Sequence, residues 1–322
     1  MGLFKNNNIE QEMEEVFMAF ERNFKNFDDL ERAPLFEKLK NDILINKAAK
    51  KVFPAIRKNE IHFYYKGGRL FKFSGKSFTT HLKYAFVCKD DEKNRDVTMS
   101  VLKDIKVADF TQGYKRIKER CALYNKGLES FFVSKLFKKY SYVTSKEDVV
   151  LLDIEAALTR ENRADMVLYD KKKQIIKFVE AKLFSNGELK SSKKTETVPN
   201  EEITPKKVTD KSVIDQIERY EGKIAEKEKE IKEAYKNYID VVNKLFGLKL
   251  PNNEIKISKK VGLIFFDFNG NDVSSQAIEK KKKELLSSEY KIDERNIYAV
   301  GDTNNASLWQ LLRCNGLEEK EE

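Results

Sequence analysis

Cysteine is scarce in this chain. Only Cys88, Cys121 and Cys314 occur among 322 residues, far apart and outside any C-x-x-C or Cys/His cluster. That spacing excludes a disulfide framework, a Cys/His zinc site and a four-cysteine iron–sulfur cluster. Histidine is scarcer still. With only His62 and His81 present, any catalysis must lean on carboxylates, Lys, Tyr or Ser. No apolar run approaches the ~20 residues of a transmembrane helix. The opening MGLFKNNNIEQEMEEVF is too acidic and too poor in apolar residues for a signal peptide. Gly2 would suit myristoylation, but Asn6 stands where that motif wants Ser or Thr. Without an export signal, the expected home is a reducing cytoplasm. No internal repeat is visible.

What is present bounds the class. The chain is 40% hydrophobic with 22 Phe and 13 Tyr, enough to build a core. Its length suits two modest domains, or one large domain with insertions. A net charge of +9 favours a polyanionic partner or a membrane surface.

From about Ile9 to Lys51 the pattern reads as two helices interrupted by ERAPLFEK, with Pro34 at a first-turn position. The period then changes. IHFYYKGGRLFKF (61–73) has aromatic arms around Gly67-Gly68, a hairpin signal. Between Ile61 and Cys88 there is no acid, while Lys66, Arg69, Lys72, Lys76 and Lys83 alternate with aromatics. Two readings stand side by side: a hairpin with a solvated basic face, and a sheet that faces nucleic acid. Residues 110–140 read as a helix with a break near Asn125-Lys126-Gly127. DVVLLDIEAAL, ADMVLYD and IIKFVEAKL follow as three strands with tight polar turns, a meander. Residues 185–212 lack periodicity and are rich in Ser, Thr, Lys, Glu and Pro, which marks a flexible loop or a segment that orders on binding. A long helix is predicted over 213–246, about 50 Å at 1.5 Å per residue. KKVGLIFFDF gives a buried strand, Asn269-Gly270 a turn, SSQAIEKKKKELLSS a helix and NIYAVGD a last short strand.

The chemistry concentrates in RADMVLYDKKKQIIKFVEAKL (163–183). Ionised groups in a core are expensive unless they are paired or bind a metal. Residues two apart on a strand share a face, about 7 Å apart. Glu180 and Lys182 therefore project together, while Lys177, Val179 and Ala181 face the other way. In a meander Asp165 can sit beside Glu180, giving two carboxylates able to share a divalent cation. The main-chain carbonyl after Glu180 offers a further ligand. Lys182 would stand next to the attacking water, able to deprotonate it, orient it, or stabilise charge on the transition state.

Asp165, a spacer, then Glu180-Ala181-Lys182 resembles the D…ExK signature of the PD-(D/E)XK nuclease superfamily, with Ala164 in place of the proline. The order helix, three strands, helix, strand is similar to that family's core. DQIERY (215–220) resembles the Q-x-x-x-Y motif of the RecB-like exonuclease branch, and Gln216 and Tyr220 share a helical face. The cysteines of the cluster-bearing RecB-like members are absent. The resemblance spans roughly 125–270. It implies an α/β protein with a restriction-endonuclease-like core, a mixed central sheet flanked by helices, preceded by an N-terminal α+β region. It further implies catalysis by Asp165, Glu180, Lys182, Gln216 and Tyr220, with Mg²⁺ or Mn²⁺ bound by Asp165, Glu180 and a third acid. The family carries that acid on the helix before the first strand, which suggests Glu129. Glu155 competes, because LLDIEAAL puts it with Asp153 on a strand that should be buried.

The leading expectation is a metal-dependent nuclease acting on DNA, with RNA as the alternative substrate, in restriction, repair or phage defence. Residues 1–110 would form a recognition region, with Lys66, Arg69, Lys72, Lys76 and Lys83 on nucleic acid. Residues 111–322 would form the nuclease-like domain. The rival is a non-catalytic nucleic-acid or partner-binding protein that keeps the same fold. A third reading makes the 213–246 helix a contact in a homodimer or with a partner subunit.

Overall fold

The computed structural model describes residues 20–45, 51–86, 95–104, 109–159, 162–190, 212–266, 275–314 and 316–317. The first predicted helix before residue 20, most of the 185–212 loop and the Asn269-Gly270 turn lie outside the described residues. The protein is an α/β protein built on two sheets flanked by helices.

The chain begins with α1 (Phe27–Glu31) and α2 (Pro34–Leu44). Pro34 occupies the first turn of α2, where its missing N–H costs nothing. Five antiparallel strands follow in sequence order: β1 (Phe53–Arg57), β2 (Glu60–Tyr65), β3 (Gly68–Ser74), β4 (Ser77–His81) and, after the short α3 (Leu82–Ala85), β5 (Asp96–Thr98). The β2–β3 turn is made by Lys66 and Gly67, both at positive φ (51° and 87°), as a type I′ hairpin requires. Gly68 already belongs to β3 and pairs with Tyr65. The predicted hairpin is present, one residue out of the expected turn register.

Next come α4 (Met99–Asp104), α5 (Phe110–Tyr124), α6 (Glu129–Lys135) and α7 (Phe137–Tyr140). The Asp109 carboxylate caps α5 by accepting from the Gln112 N–H at 2.9 Å. The helix breaks at Asn125–Gly127, as its sequence suggests. Although it follows residue 110, α5 packs on β3 and α3 of the first sheet.

The second sheet carries β6 (Val149–Ala157), β7 (Arg163–Asp170) and β8 (Ile175–Leu183) as an antiparallel meander. Their near-continuous apolar runs reflect burial on both faces. The helices α8 (Val213–Glu226) and α9 (Glu228–Phe246) then cross to β9 (Lys256–Ile257) and β10 (Gly262–Phe266), both parallel to β8. After α10 (Ser275–Leu286), β11 (Ile297–Ala299) pairs parallel to β10. The single 213–246 helix expected from the sequence is two helices, interrupted at Lys227 (φ −114°, ψ 23°). Between Ala225 and Ile231 every residue is Glu or Lys, so no buried side chain opposes the break.

One continuous hydrophobic core joins the sheets. At the junction, Phe53 of β1 packs against Phe137 and Tyr142. Beside them Asp153 of β6 is fully buried and ion-paired with Arg57 (2.8 Å) and Arg22 (3.4 Å), while the Tyr235 hydroxyl donates to it at 3.2 Å. The acid that looks unaffordable on a buried strand is therefore neutralised by residues far away in sequence. Among the described residues no helix is long and apolar enough to cross a membrane.

The hairpin tip is clamped onto α6. A Cβ built on Gly67 would fall 2.5 Å from the Phe131 nitrogen, a backbone atom that cannot swing away. Gly67→Ala is expected to cost about 2–4 kcal/mol, combining positive φ with overpacking. A lower urea midpoint at unchanged slope would show it. Gly222 of α8 has open space around it, so Gly222→Ala should add up to about 1 kcal/mol in the same assay.

Candidate active site

Beyond the last paired residues of β7 and β8, Met166 and Val179, the next positions outward are Asp165 and Glu180. The Ala181 N–H donates to Asp165 Oδ2 at 2.7 Å, which ties the two strands together at the acids. Glu180 and Lys182 share a face, as period-two alternation requires. Lys182 Nζ lies 3.0 Å from Glu180 Oε1 and 2.8 Å from Glu188 Oε2. Both Glu180 and Lys182 are buried, yet Glu180 Oε2 has no hydrogen-bond partner.

The electrostatics follow from this crowding. Burial pushes the Asp165 carboxyl well above the usual range, and the neighbouring Glu180 and Glu155 charges push it further. Burial also raises Glu180; Lys182 opposes the shift, Glu129 adds to it, and the nearby Gln216 side chain lowers it slightly. For Lys182, burial works against the charge, but Glu180, Glu188 and Glu129 outweigh it and hold the ammonium above its ordinary pKa. Lys182 is thus a fixed cation at neutral pH.

Gln216 and Tyr220 lie behind the acids on α8, whose N-cap Ser212 accepts from the Ile214 N–H. The Gln216 amide donates to the Tyr220 oxygen at 2.6 Å, and the Tyr220 hydroxyl donates to the Arg163 carbonyl at 2.7 Å. Tyr220 is buried. The pair anchors the start of β7, two residues ahead of Asp165.

The four acids named as metal ligands do not close into one set. Among the described residues no group of three or more His, Cys, Asp or Glu side chains is placed to hold a metal ion. Glu129, in the first turn of α6, accepts from the Leu183 N–H (3.2 Å) and the Asn186 amide (2.6 Å). It reaches the site by charge while its Oε1 is committed to the β8 exit. Glu155 sits between the Ile154–Met166 and Ala156–Ala164 pairs, opposite Asp165, but at φ 49°. That left-handed backbone is rare outside Gly, and the side chain lines a neighbouring cavity with Arg163 and Arg57.

The basic residues of the first sheet are partly spoken for. Arg69 pairs with Asp96 (2.5 Å) and Lys72 with Glu60 (3.4 Å). Lys66 lies over the Phe131 ring, and Lys83 over Tyr84 and Tyr124. Lys76 is exposed in the β3–β4 turn. Their side chains do not form one uncompensated stripe.

Sequence reasoning missed Glu188, Asn186, Arg57 and Arg163. Glu188 and Asn186 fall in the stretch read as a flexible loop, yet they form an ordered turn against Lys182 and Glu129. Only the D…ExK context could have flagged them. Arg57 is 96 residues from Asp153, and no local signal links them.

Comparison with protein-family models, curated proteins and solved structures finds no match to this chain.

Proposed function

We propose that the protein is a divalent-metal-dependent nuclease that hydrolyses phosphodiester bonds in DNA, built on a restriction-endonuclease-like core. The observation that carries this reading is the crowding of two carboxylates, Asp165 raised by burial and by the Glu180 charge, beside a buried Glu180 whose Oε2 makes no well-formed hydrogen bond and has the Gln216 amide nearby. Two neighbouring desolvated carboxylates repel each other, and a shared cation relieves the repulsion. The donor set fits Mg²⁺ or Mn²⁺. Such ions are commonly held by one or two carboxylates, with substrate phosphate and water completing the shell, rather than by a closed protein cage. In a strand the C=O of a residue points to the same edge as its N–H, so the Ala181 carbonyl also lies on the Asp165 side.

Asp165 and Glu180 would hold the cation, which when bound polarises the phosphate and acidifies the nearby water. Lys182, kept charged by its three glutamates, is a poor base. Its role is to stabilise negative charge on the phosphate as the bond breaks. Glu180 and Glu188 fix its ammonium from two sides. Tyr220 and Gln216 are positioning residues that hold β7 in register. Glu129 fixes the exit of β8 through Leu183 and Asn186.

The experiment is cleavage of linear and circular DNA, single- and double-stranded, with Mg²⁺, Mn²⁺ or EDTA. Metal-dependent cutting, lost in Asp165→Ala, is the expected result. Cutting of closed circles would mark an endonuclease. DNA binding without cutting under any metal would transfer the fold to a non-catalytic binding role.

A further inference from the structure

A cavity of about 380 Å³ lies between the first sheet and the outer end of β6 and β7. Its position is set by the same strands that carry the acids. Glu155 and Arg163 line it, the first opposite Asp165 and the second two residues before it on β7. Two residues of a strand span about 7 Å, so the Arg163 wall of the cavity lies one such step along β7 from Asp165. The far wall is aromatic. His62 and Tyr64 of β2, and His81 at the end of β4 with Tyr84 of α3, line it as two ring pairs, with centroids 6.3 and 5.8 Å apart. Arg69 of β3 completes the rim.

We infer that this cavity receives one nucleotide of the substrate strand, unstacked from its neighbours, while the adjoining phosphate lies at Asp165 and Glu180. The inference rests on the nuclease reading for the identity of its ligand. The volume is within the range of small-ligand sites, about 300–1,000 Å³, and far too small for a base-paired step. Aromatic walls suit a base face whatever the base. Arg163 is exposed, and Arg69 makes a half-exposed pair with Asp96, a weak tie that a phosphate can displace. Glu155 offers an acceptor to an exocyclic base amine. Burial, together with Arg57 and Arg69, depresses His62 to about 4, so its ring is neutral at pH 7 despite the Glu60 contact.

The wall is also braced. Arg57 donates to the carbonyls of Ile154 and Glu155 and to Asp153, holding the strained Glu155 backbone in place. A non-Gly residue kept at positive φ by surrounding contacts is the kind of local strain that gathers at ligand sites. At the hairpin, Gly68 lets the backbone approach Asn125, Cys121 and Tyr84; a Cβ there would lie 2.3 Å from the Asn125 amide.

The test uses the full chain in EDTA with short single-stranded DNAs, each carrying 2-aminopurine at a different position. Fluorescence reports stacking, and anisotropy of an end label reports binding. The expected result is an emission change at one position only, brighter where the base leaves its neighbours or dimmer where it stacks on the ring pairs, against a uniform remainder of the bound strand. Arg163→Ala and Arg69→Ala should each abolish that position-specific change and weaken binding roughly tenfold, with melting temperatures unchanged. Uniform emission along a bound strand, or a position-specific change that both variants leave intact, overturns the inference. Cleavage is scored separately with Mg²⁺. Cutting without a position-specific change rejects the pocket and keeps the nuclease. A position-specific change without cutting under any metal keeps the pocket and rejects the nuclease.

Discussion

Lys182→Ala is expected to slow single-turnover cleavage about 10³-fold, the usual consequence of removing a positioned charge from a phosphoryl-transfer site. The same change should lower stability. Lys182 is the cation closest to the buried Glu180, and removing one partner of a buried pair costs about 3–5 kcal/mol because the other charge stays behind. Activity and stability can be separated. In Glu180→Gln/Lys182→Met neither charge remains, so most of the stability should return while cleavage stays absent. If Lys182→Ala lost stability but kept wild-type cleavage, Lys182 would be a structural counter-ion to Glu180 and nothing more. Single-turnover rates and urea midpoints on the two variants decide this.

Asp165→Asn should behave in the opposite sense for stability. In the folded chain, burial and the Glu180 charge hold the Asp165 carboxyl above its ordinary range. The native state therefore keeps its proton longer than the unfolded chain does. Stability from this group is full at pH values below the unfolded pKa. It falls as pH rises through the ordinary carboxylate range towards the raised folded pKa. An amide has no such charge and can still accept from the Ala181 N–H. Metal-free Asp165→Asn is expected to be about 1–2 kcal/mol more stable than wild type at pH 8, a gain typical of relieving strain at a functional site. That advantage should disappear in acid. Mg²⁺ should raise the melting temperature of wild type and leave the variant unmoved. Thermal melts across pH, with Mg²⁺ and with EDTA, give both answers. A wild-type protein more stable than Asp165→Asn in EDTA at pH 8 would show that the acid is satisfied without a cation.

The legible parts of this molecule are those governed by local periodicity. The meander of β6, β7 and β8 follows from three apolar runs with polar turns. The two-residue period put Glu180 and Lys182 on one face, with Lys177 opposite. Lys177 is indeed buried on the other side, where it donates to Asn296 and the Cys314 carbonyl. What stayed hidden depends on distant contacts or unusual backbone. Asp153 finds Arg22 and Arg57 across the junction of the sheets. No pattern of alternation reports the left-handed backbone of Glu155. The break at Lys227 was masked because its flanks keep strong helical character. Glu188 looked like loop filler, yet it fixes the ammonium of Lys182.

The central claim is that Asp165 and Glu180 share a divalent cation. A titration with Mn²⁺ at pH 8, reading the free-ion signal by electron paramagnetic resonance, tests it most directly. The account predicts a single site per chain, lost in Asp165→Asn and in Glu180→Gln and retained in Arg163→Ala. An absence of binding, or binding that Asp165→Asn leaves unchanged, would contradict it.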